Sequence, residues 1–341
     1  MDPSQGQPIV VDAHNDLLIE VAFRVRRRGE TNPFAEHWLP KLRRGGVSLQ
    51  VCPVYVDLPL LPDGALREAL SLVAAFHRSV HDNAPDVIAV RTRDDLAAIE
   101  RRERIGLMLS LEGAEPLGYD PWLAEVMWEL GARMISLTWN RRNPFADGAA
   151  ETDDGGLSSL GRQLVDLCVE LGFVLDLAHA GERTFREILD RIGDAPVVVS
   201  HADCRAVFDH PRNLSDDALR ELAAHGGVLG VMLHPISVDH TSPTIDRVVD
   251  HIDHAVEVMG IEHVGLGSDF TQQLVRAYNW VAPPDALLPD GMAADAAIEG
   301  LAGPDDFPNL VRALRRRGYE GERLEAVLGG NLLRVLGAAL P

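Results

Sequence analysis

A chain of 341 residues with 46% hydrophobic content is long enough for one α/β barrel with insertions, or for two smaller domains. Its 52 acidic against 32 basic side chains leave a formal net charge of -20 at pH 7, which argues against nucleic acid or an anionic membrane surface as a partner. The three cysteines, Cys52, Cys168 and Cys204, are odd in number and form no CxxC pair, so neither a disulfide framework nor a thiolate metal site is indicated. They read as small buried hydrophobes. The opening MDPSQGQP has neither the basic nor the apolar region of a signal peptide, and no apolar run reaches the roughly 20 residues of a membrane span. A soluble, cytoplasmic protein is therefore expected.

The first element is IVVDAHNDL (9–17), an apolar strand ending in Asp12, His14 and Asp16. Residues two apart in a strand share a face, so alternation sets His14 beside Asp16 at the strand's C-terminal end. Such a pair suits zinc or a similar divalent ion, although a strand cap leading into a loop uses the same residue types. The Arg-rich stretch 24–28 reads as a solvated helix face or a carboxylate-binding loop rather than a nucleic-acid patch. VSLQVCPVYV (47–56) reads as a second strand buried on both faces. A helical pattern over 65–83 leads to a third strand, IGLMLSLEG (105–113), which ends in Glu112. A helix containing Trp122, Val126 and Leu130 precedes RMISLTWN (133–140), which ends in Trp139 and Asn140.

The cycle then repeats. FVLDLAHA (173–180) ends in His179, PVVVSHAD (196–203) in His201, GVLGVMLH (227–234) in His234 and HVGLGSDF (263–270) in Asp269, with amphipathic helices at 160–171, 182–192 and 216–224. Eight strands alternating with helices predict a single-domain (β/α)8 TIM barrel over 1–341. The rival, a doubly wound open sheet, lacks its usual Gly-rich fingerprint here. A Pro-, Ala- and Asp-rich segment at about 271–305 reads as an insertion, either a lid or a subunit contact, and a helix at about 322–338 would close the barrel.

In a barrel the C-terminal strand ends converge on one face, so His14, Asp16, Glu112, His179, His201 and Asp269 become one constellation. His77, His81, His225, His251 and His254 fall in helical stretches and His263 begins a strand, so these read as structural. His234 stands at a strand end but is surplus to the ligand count. The donors are too many for one open zinc site and suit two ions, with Glu112 bridging ions roughly 3.5–4 Å apart. One ion would take His14, Asp16 and Glu112, and the other Glu112, His179 and His201. A water shared by both would lose a proton near neutral pH and become a hydroxide nucleophile, which makes hydrolysis the natural reaction. Asp269 would take that proton and hand it to the leaving group, or else act as a weak extra ligand or an orienter.

The segments DAHNDL, LSLEGAEPLG, LTWN, LDLAHA, VVVSHADCRAVFDHPRNLSDD, VGLGSDF and GGNLLRVL resemble, in order and spacing, those of the renal or membrane dipeptidase family of the amidohydrolase superfamily. The resemblance implies a barrel holding two zinc ions on the ligands above, hydrolysis of dipeptides with tolerance for a D-residue at the C-terminal position, and commonly a homodimer. It also gives Arg212 the role of binding the substrate's C-terminal carboxylate, which a guanidinium grips through two parallel hydrogen bonds. Trp139 and Asn140 complete the expected substrate contacts. The chain departs from better-known members at Trp139, where they carry a histidine that contacts the substrate carbonyl, and in SDFTQQ after the last strand. Indole offers one N–H donor and cannot relay a proton. A zinc-dependent dipeptidase acting on a small substrate with a free carboxylate is thus expected. The alternatives are a binuclear hydrolase of an N-acyl amino acid, cyclic amide or lactone, and a barrel that binds without turnover.

Overall fold

The computed structural model describes residues 8–278 and 281–341, so the stretch inspected for a signal peptide lies, but for Pro8, outside it. Among the described residues nine strands occur in chain order: β1 (Val10–Asp12), β2 (Val47–Tyr55), β3 (Val87–Ala89), β4 (Ile105–Glu112), β5 (Ala132–Ser136), β6 (Val174–Asp176), β7 (Val197–Ala202), β8 (Val228–Val231) and β9 (Val264–Leu266). All pairings are parallel, and eight strands close a ring in the order β1, β2, β4, β5, β6, β7, β8, β9. The molecule is a (β/α)8 barrel. Each of the eight expected strands is present. β3 is the addition: three residues paired with Ile105–Leu107 at the start of β4, on the edge that β5 takes further along.

The strands read as continuous apolar runs because each is covered on both faces, by the barrel interior and by a helix. β2 shows this most fully, with every residue buried. Inside the barrel Val11, Leu49, Met108, Met134, Val174 and Val228 form one cluster with Leu332, Val335 and Leu336. These three belong to the last helix, Asn331–Ala339, which plugs the end where the strands begin. At the other end Gly230 and Gly267 flank the Ser200 carbonyl, where a side chain at either would collide with it. That close approach draws β7, β8 and β9 together beneath the functional face.

Helices Ser159–Leu171, Glu182–Ile192 and Asp216–Ala224 lie where apolar periodicity places them. The first and third are capped by Ser158 and Ser215, whose hydroxyls accept the N–H groups of Gly161 and Ala218. The helix expected around Trp122 is Leu123–Glu129, with Trp122 before its first turn and 65% exposed. In the Arg-rich stretch Arg24 pairs with Glu20 and Glu30, and Arg26 with Glu68, so acidic neighbours offset part of its charge. After β9 the chain runs through a helix, Gln272–Tyr278, a turn at Pro284–Ala286 and a second at Pro304–Asp306. Among the described residues no helix is long and apolar enough to cross a membrane.

Candidate active site

All six strand-end donors meet at the C-terminal mouth of the barrel. β1 stops at Asp12, so His14 and Asp16 leave the turn that follows it, Asp16 directly preceding helix Leu17–Phe23. Glu112 is the last residue of β4 and His201 lies near the end of β7, while His179 and Asp269 follow β6 and β9 by three residues. His179 and Asp269 both adopt left-handed backbone, at φ 66° and 49°. Such conformations are costly for non-glycine residues and concentrate at functional sites.

Glu112 is the hub. Its Oε1 lies 2.8 Å from His179 Nε2 and 3.7 Å from His201 Nε2, and its Oε2 lies 3.5 Å from His14 Nε2. His14 Nε2 is also 4.0 Å from Asp16 Oδ2 and 3.9 Å from Asp269 Oδ1. Two compact donor groups result, His14 with Glu112 and His201, and His14 with Asp16 and Asp269. Asp269 therefore sits within the donor cluster, closer than a separate proton acceptor would need to be.

Two matched carboxylate–serine pairs hold this arrangement. Asp12, buried and turned away from the cluster, accepts the N–H (2.7 Å) and hydroxyl (2.6 Å) of Ser268 on the neighbouring strand end, and the N–H of His14. Across the barrel, Asp176 accepts the N–H (2.8 Å) and hydroxyl (2.5 Å) of Ser200, and the N–H of Ala178. Each aspartate thus ties together two strands that deliver donors, Asp12 for His14 and Asp269, and Asp176 for His179 and His201. Ser200 Oγ in turn accepts His201 Nδ1–H at 2.8 Å. Outer partners of this kind typically carry 10–100-fold in metal affinity. Asp176→Ala is therefore expected to weaken metal binding by about that factor in competition with a chromophoric chelator. An unchanged affinity would mean that packing alone orients the His201 ring.

The donor set fits a cation. Asn140 Nδ2 donates to the Asp285 carbonyl, which leaves Oδ1 to accept His179 Nδ1–H at 2.6 Å. Burial, followed by the charge of Arg212, brings His179 down to about 3, and burial with neighbouring His14 lowers His201 as well. Both rings are neutral with protons on Nδ1, so their Nε2 lone pairs face each other at 2.7 Å, beside a carboxylate oxygen. Three acceptors in contact repel unless a positive ion lies among them. In the second group, burial opposes a charge on His14, but Glu112, Asp16 and Asp269 outweigh it and raise it to about 10. Burial and the charge of Glu112 raise Asp16 and take Asp269 to about 6. Buried and without hydrogen-bond partners among the described residues, His14 Nε2 and Asp16 Oδ1 complete a set of imidazoles and carboxylates suited to divalent zinc-like ions.

A cavity opens over the donors, lined on its apolar side by Tyr55, Trp139, Met232, Ile236, Leu274 and Leu288. Arg212 also lines it. The loop after β7 folds back through Cys204 and Leu214 and buries this guanidinium, which donates to the His201 carbonyl at 3.2 Å and pairs with no carboxylate among the described residues. Asn140 lines the cavity too, but its amide is engaged at both ends by His179 and Asp285. His234, which the sequence leaves undecided, joins the cavity wall. Its Nδ1 accepts the N–H of Ile236, so Nε2 carries the proton, and that donor is buried without a partner among the described residues. Burial keeps His234 neutral, at about 4. His210, absent from the sequence reading, receives the Arg212 N–H on Nδ1; its place two residues before Arg212 was the available signal.

Residues 4–280 match the sequence model of the membrane dipeptidase family, peptidase family M19. The chain belongs to this family. Dipeptidase ataJ of Aspergillus terreus is 30% identical over 372 residues, spanning 96% of this chain and 83% of that protein. Dipeptidase verJ of Clonostachys rogersoniana is 31% identical over 274 residues, 80% of this chain and 65% of its own length. An amidohydrolase from Pseudomonas aeruginosa superposes at a TM-score of 0.80 and 25% identity, over 96% of this chain and 95% of that one. A metallopeptidase from Rhodobacter sphaeroides, liganded with a phosphinate mimic of the dipeptide L-Ala-D-Ala, shares the fold at a TM-score of 0.80 and 24% identity, over 98% and 100% of the two chains. This M19 chain is a hydrolytic enzyme of the metallopeptidase type.

Proposed function

We propose that this M19 enzyme hydrolyses dipeptides bearing a free C-terminal carboxylate, with a D-residue accepted at that position. The observation that carries the reading is Arg212, a buried cation with no carboxylate partner among the described residues, which faces the same cavity as the donor cluster. A substrate carboxylate supplies the missing anion, and the His234 Nε2–H lines the same cavity as a second donor. The scissile amide then lies over the donors.

Two zinc ions, one held by His14, Asp16 and Glu112 and the other by Glu112, His179 and His201, would acidify a shared water toward hydroxide near neutral pH and polarise the carbonyl. Asp269 accepts the proton released as water attacks and passes it to the departing amine, so the peptide bond breaks to a carboxylate and an amino group. The chain holds His179 in its reactive tautomer through Asn140, and His201 through Ser200 and Asp176.

The test is turnover of zinc-reconstituted protein on L,L and L,D dipeptides beside a chelated sample. Chelator-sensitive release of free amino acids is expected, and absence of cleavage by protein retaining two ions would overturn the reading. One observation favours a second class: the carboxylates lining the cavity, Asp16, Glu112 and Asp269, all belong to the donor cluster, so among the described residues no carboxylate outside it lines the cavity to meet an α-ammonium. N-acyl amino acids are accordingly the second panel.

A further inference from the structure

In the ring order, β2 stands diametrically opposite β7, after which Arg212 is delivered. Tyr55 ends β2, and Trp139 follows β5, midway around the ring between β2 and β7, with its indole packed against Tyr55. A substrate anchored by its carboxylate on Arg212 therefore extends across the donors toward these two rings. Their centroids lie 5.4 Å apart, Ala286 completes their cluster, and Leu288 packs against it.

Tyr55, Trp139, Ala286 and Leu288 line this side of the cavity, and Arg141 and Asp285, paired with each other at 2.6 Å, do not. The Tyr55 hydroxyl accepts from Arg141 at 3.3 Å, burial keeps that phenol neutral, and the Asn140 amide is held at both ends. A charged side chain placed here meets mainly apolar surface, since Arg141 and Asp285 neutralise each other behind the lining and the carboxylates of the cluster are taken up by the donor arrangement. An apolar side chain loses nothing and buries surface against both rings.

The wall is roofed by a strap. Arg141 Nε donates to Asp285 Oδ2 at 2.6 Å, and Asn140 Nδ2 donates to the Asp285 carbonyl at 2.9 Å. Two residues on, His210 Nε2 donates to the Leu287 carbonyl at 3.2 Å. Residues 285–287 thus run from the loop after β5 to the loop after β7, anchored beside both ends of the extended substrate. Leu287 ends the strap in left-handed backbone, φ 60°, unusual for a branched side chain. Arg141 also stacks on the Trp139 ring, 4.6 Å from its centroid, so one guanidinium fixes both ring and strap.

We infer that Tyr55, Trp139, Ala286 and Leu288 form a specificity pocket for an apolar side chain on the residue N-terminal to the scissile bond. Arg141 is its positioning residue, through Trp139 and Asp285. This rests on the dipeptidase reading, since that reading orients the substrate.

The experiment uses dipeptides X-Ala with X as Leu, Ala, Asp or Lys, assayed two ways. In turnover by the zinc-loaded enzyme, kcat/KM is expected to favour Leu over Asp and Lys by about 100-fold. In calorimetric titration of the metal-free protein, Leu-Ala is expected to bind more tightly than Lys-Ala. Arg141→Ala is expected to raise KM for Leu-Ala about tenfold, with the effect in KM rather than kcat, and Arg141→Lys to recover part of it by keeping a cation over the ring. Equal kcat/KM across X, or equal binding of Leu-Ala and Lys-Ala, would overturn the pocket and leave the dipeptidase reading standing. Absence of turnover on every X would overturn the dipeptidase reading, and the binding comparison would still decide the pocket.

Discussion

Asp269→Asn is expected to lower kcat by roughly 10²–10⁴-fold, the usual weight of a positioned general acid–base group, while the protein keeps its bound metal. The substitution is close to isosteric, and asparagine tolerates left-handed backbone better than most residues, so the 49° φ at this position is no obstacle to folding. What changes is the ability to take and return a proton. Burial and the charge of Glu112 place Asp269 at about 6 in the metal-free cluster, in the range where a carboxylate can do both. Its position 3.9 Å from His14 Nε2 also permits the competing role of a ligand. Steady-state kinetics run beside metal analysis of the same preparation separates the two. A large fall in kcat with full metal content assigns proton transfer to Asp269, whereas a parallel fall in both would make it a ligand.

The donors were legible because each closes a strand that is buried on both faces, and such strands stand out as unbroken apolar runs. The barrel then turns separate positions into one site. Legibility failed where position depends on which way the chain turns. Alternation along the first strand offers Asp12, His14 and Asp16 as equivalents, yet the strand ends at Asp12, and that carboxylate swings to Ser268, 256 residues away in sequence. β3 lies in an apolar stretch of only four residues, 87–90, which is too short to stand out. Asn140 reads as a substrate contact from its place at a strand end, but its two hydrogen bonds depend on His179 and on Asp285, which lies 145 residues further along the chain. Arg212 is a surface residue on local pattern alone, and only resemblance points to its role. Its burial is produced by the Cys204–Leu214 fold-back, which no periodicity signals.

Arg212→Met is expected to lower kcat/KM for dipeptides with a free carboxylate by about 10²–10⁴-fold, since two charge-assisted hydrogen bonds at about 1.5–3 kcal/mol each are lost. The loss should vanish for the same dipeptides capped as C-terminal amides, which present no anion to grip; unchanged kinetics on the free acids would remove Arg212 from binding. The same substitution is expected to raise the melting temperature of the substrate-free protein. The guanidinium is buried, keeps a hydrogen bond to the His201 carbonyl and has no carboxylate partner among the described residues, so the unliganded fold carries a desolvated charge that methionine would replace with a side chain of similar reach. Thermal unfolding of the two proteins with and without a non-hydrolysable dipeptide mimic therefore reads both sides of one balance. Ligand should stabilise the parent strongly and Arg212→Met weakly, because the stability that the empty pocket forgoes is returned when a carboxylate arrives.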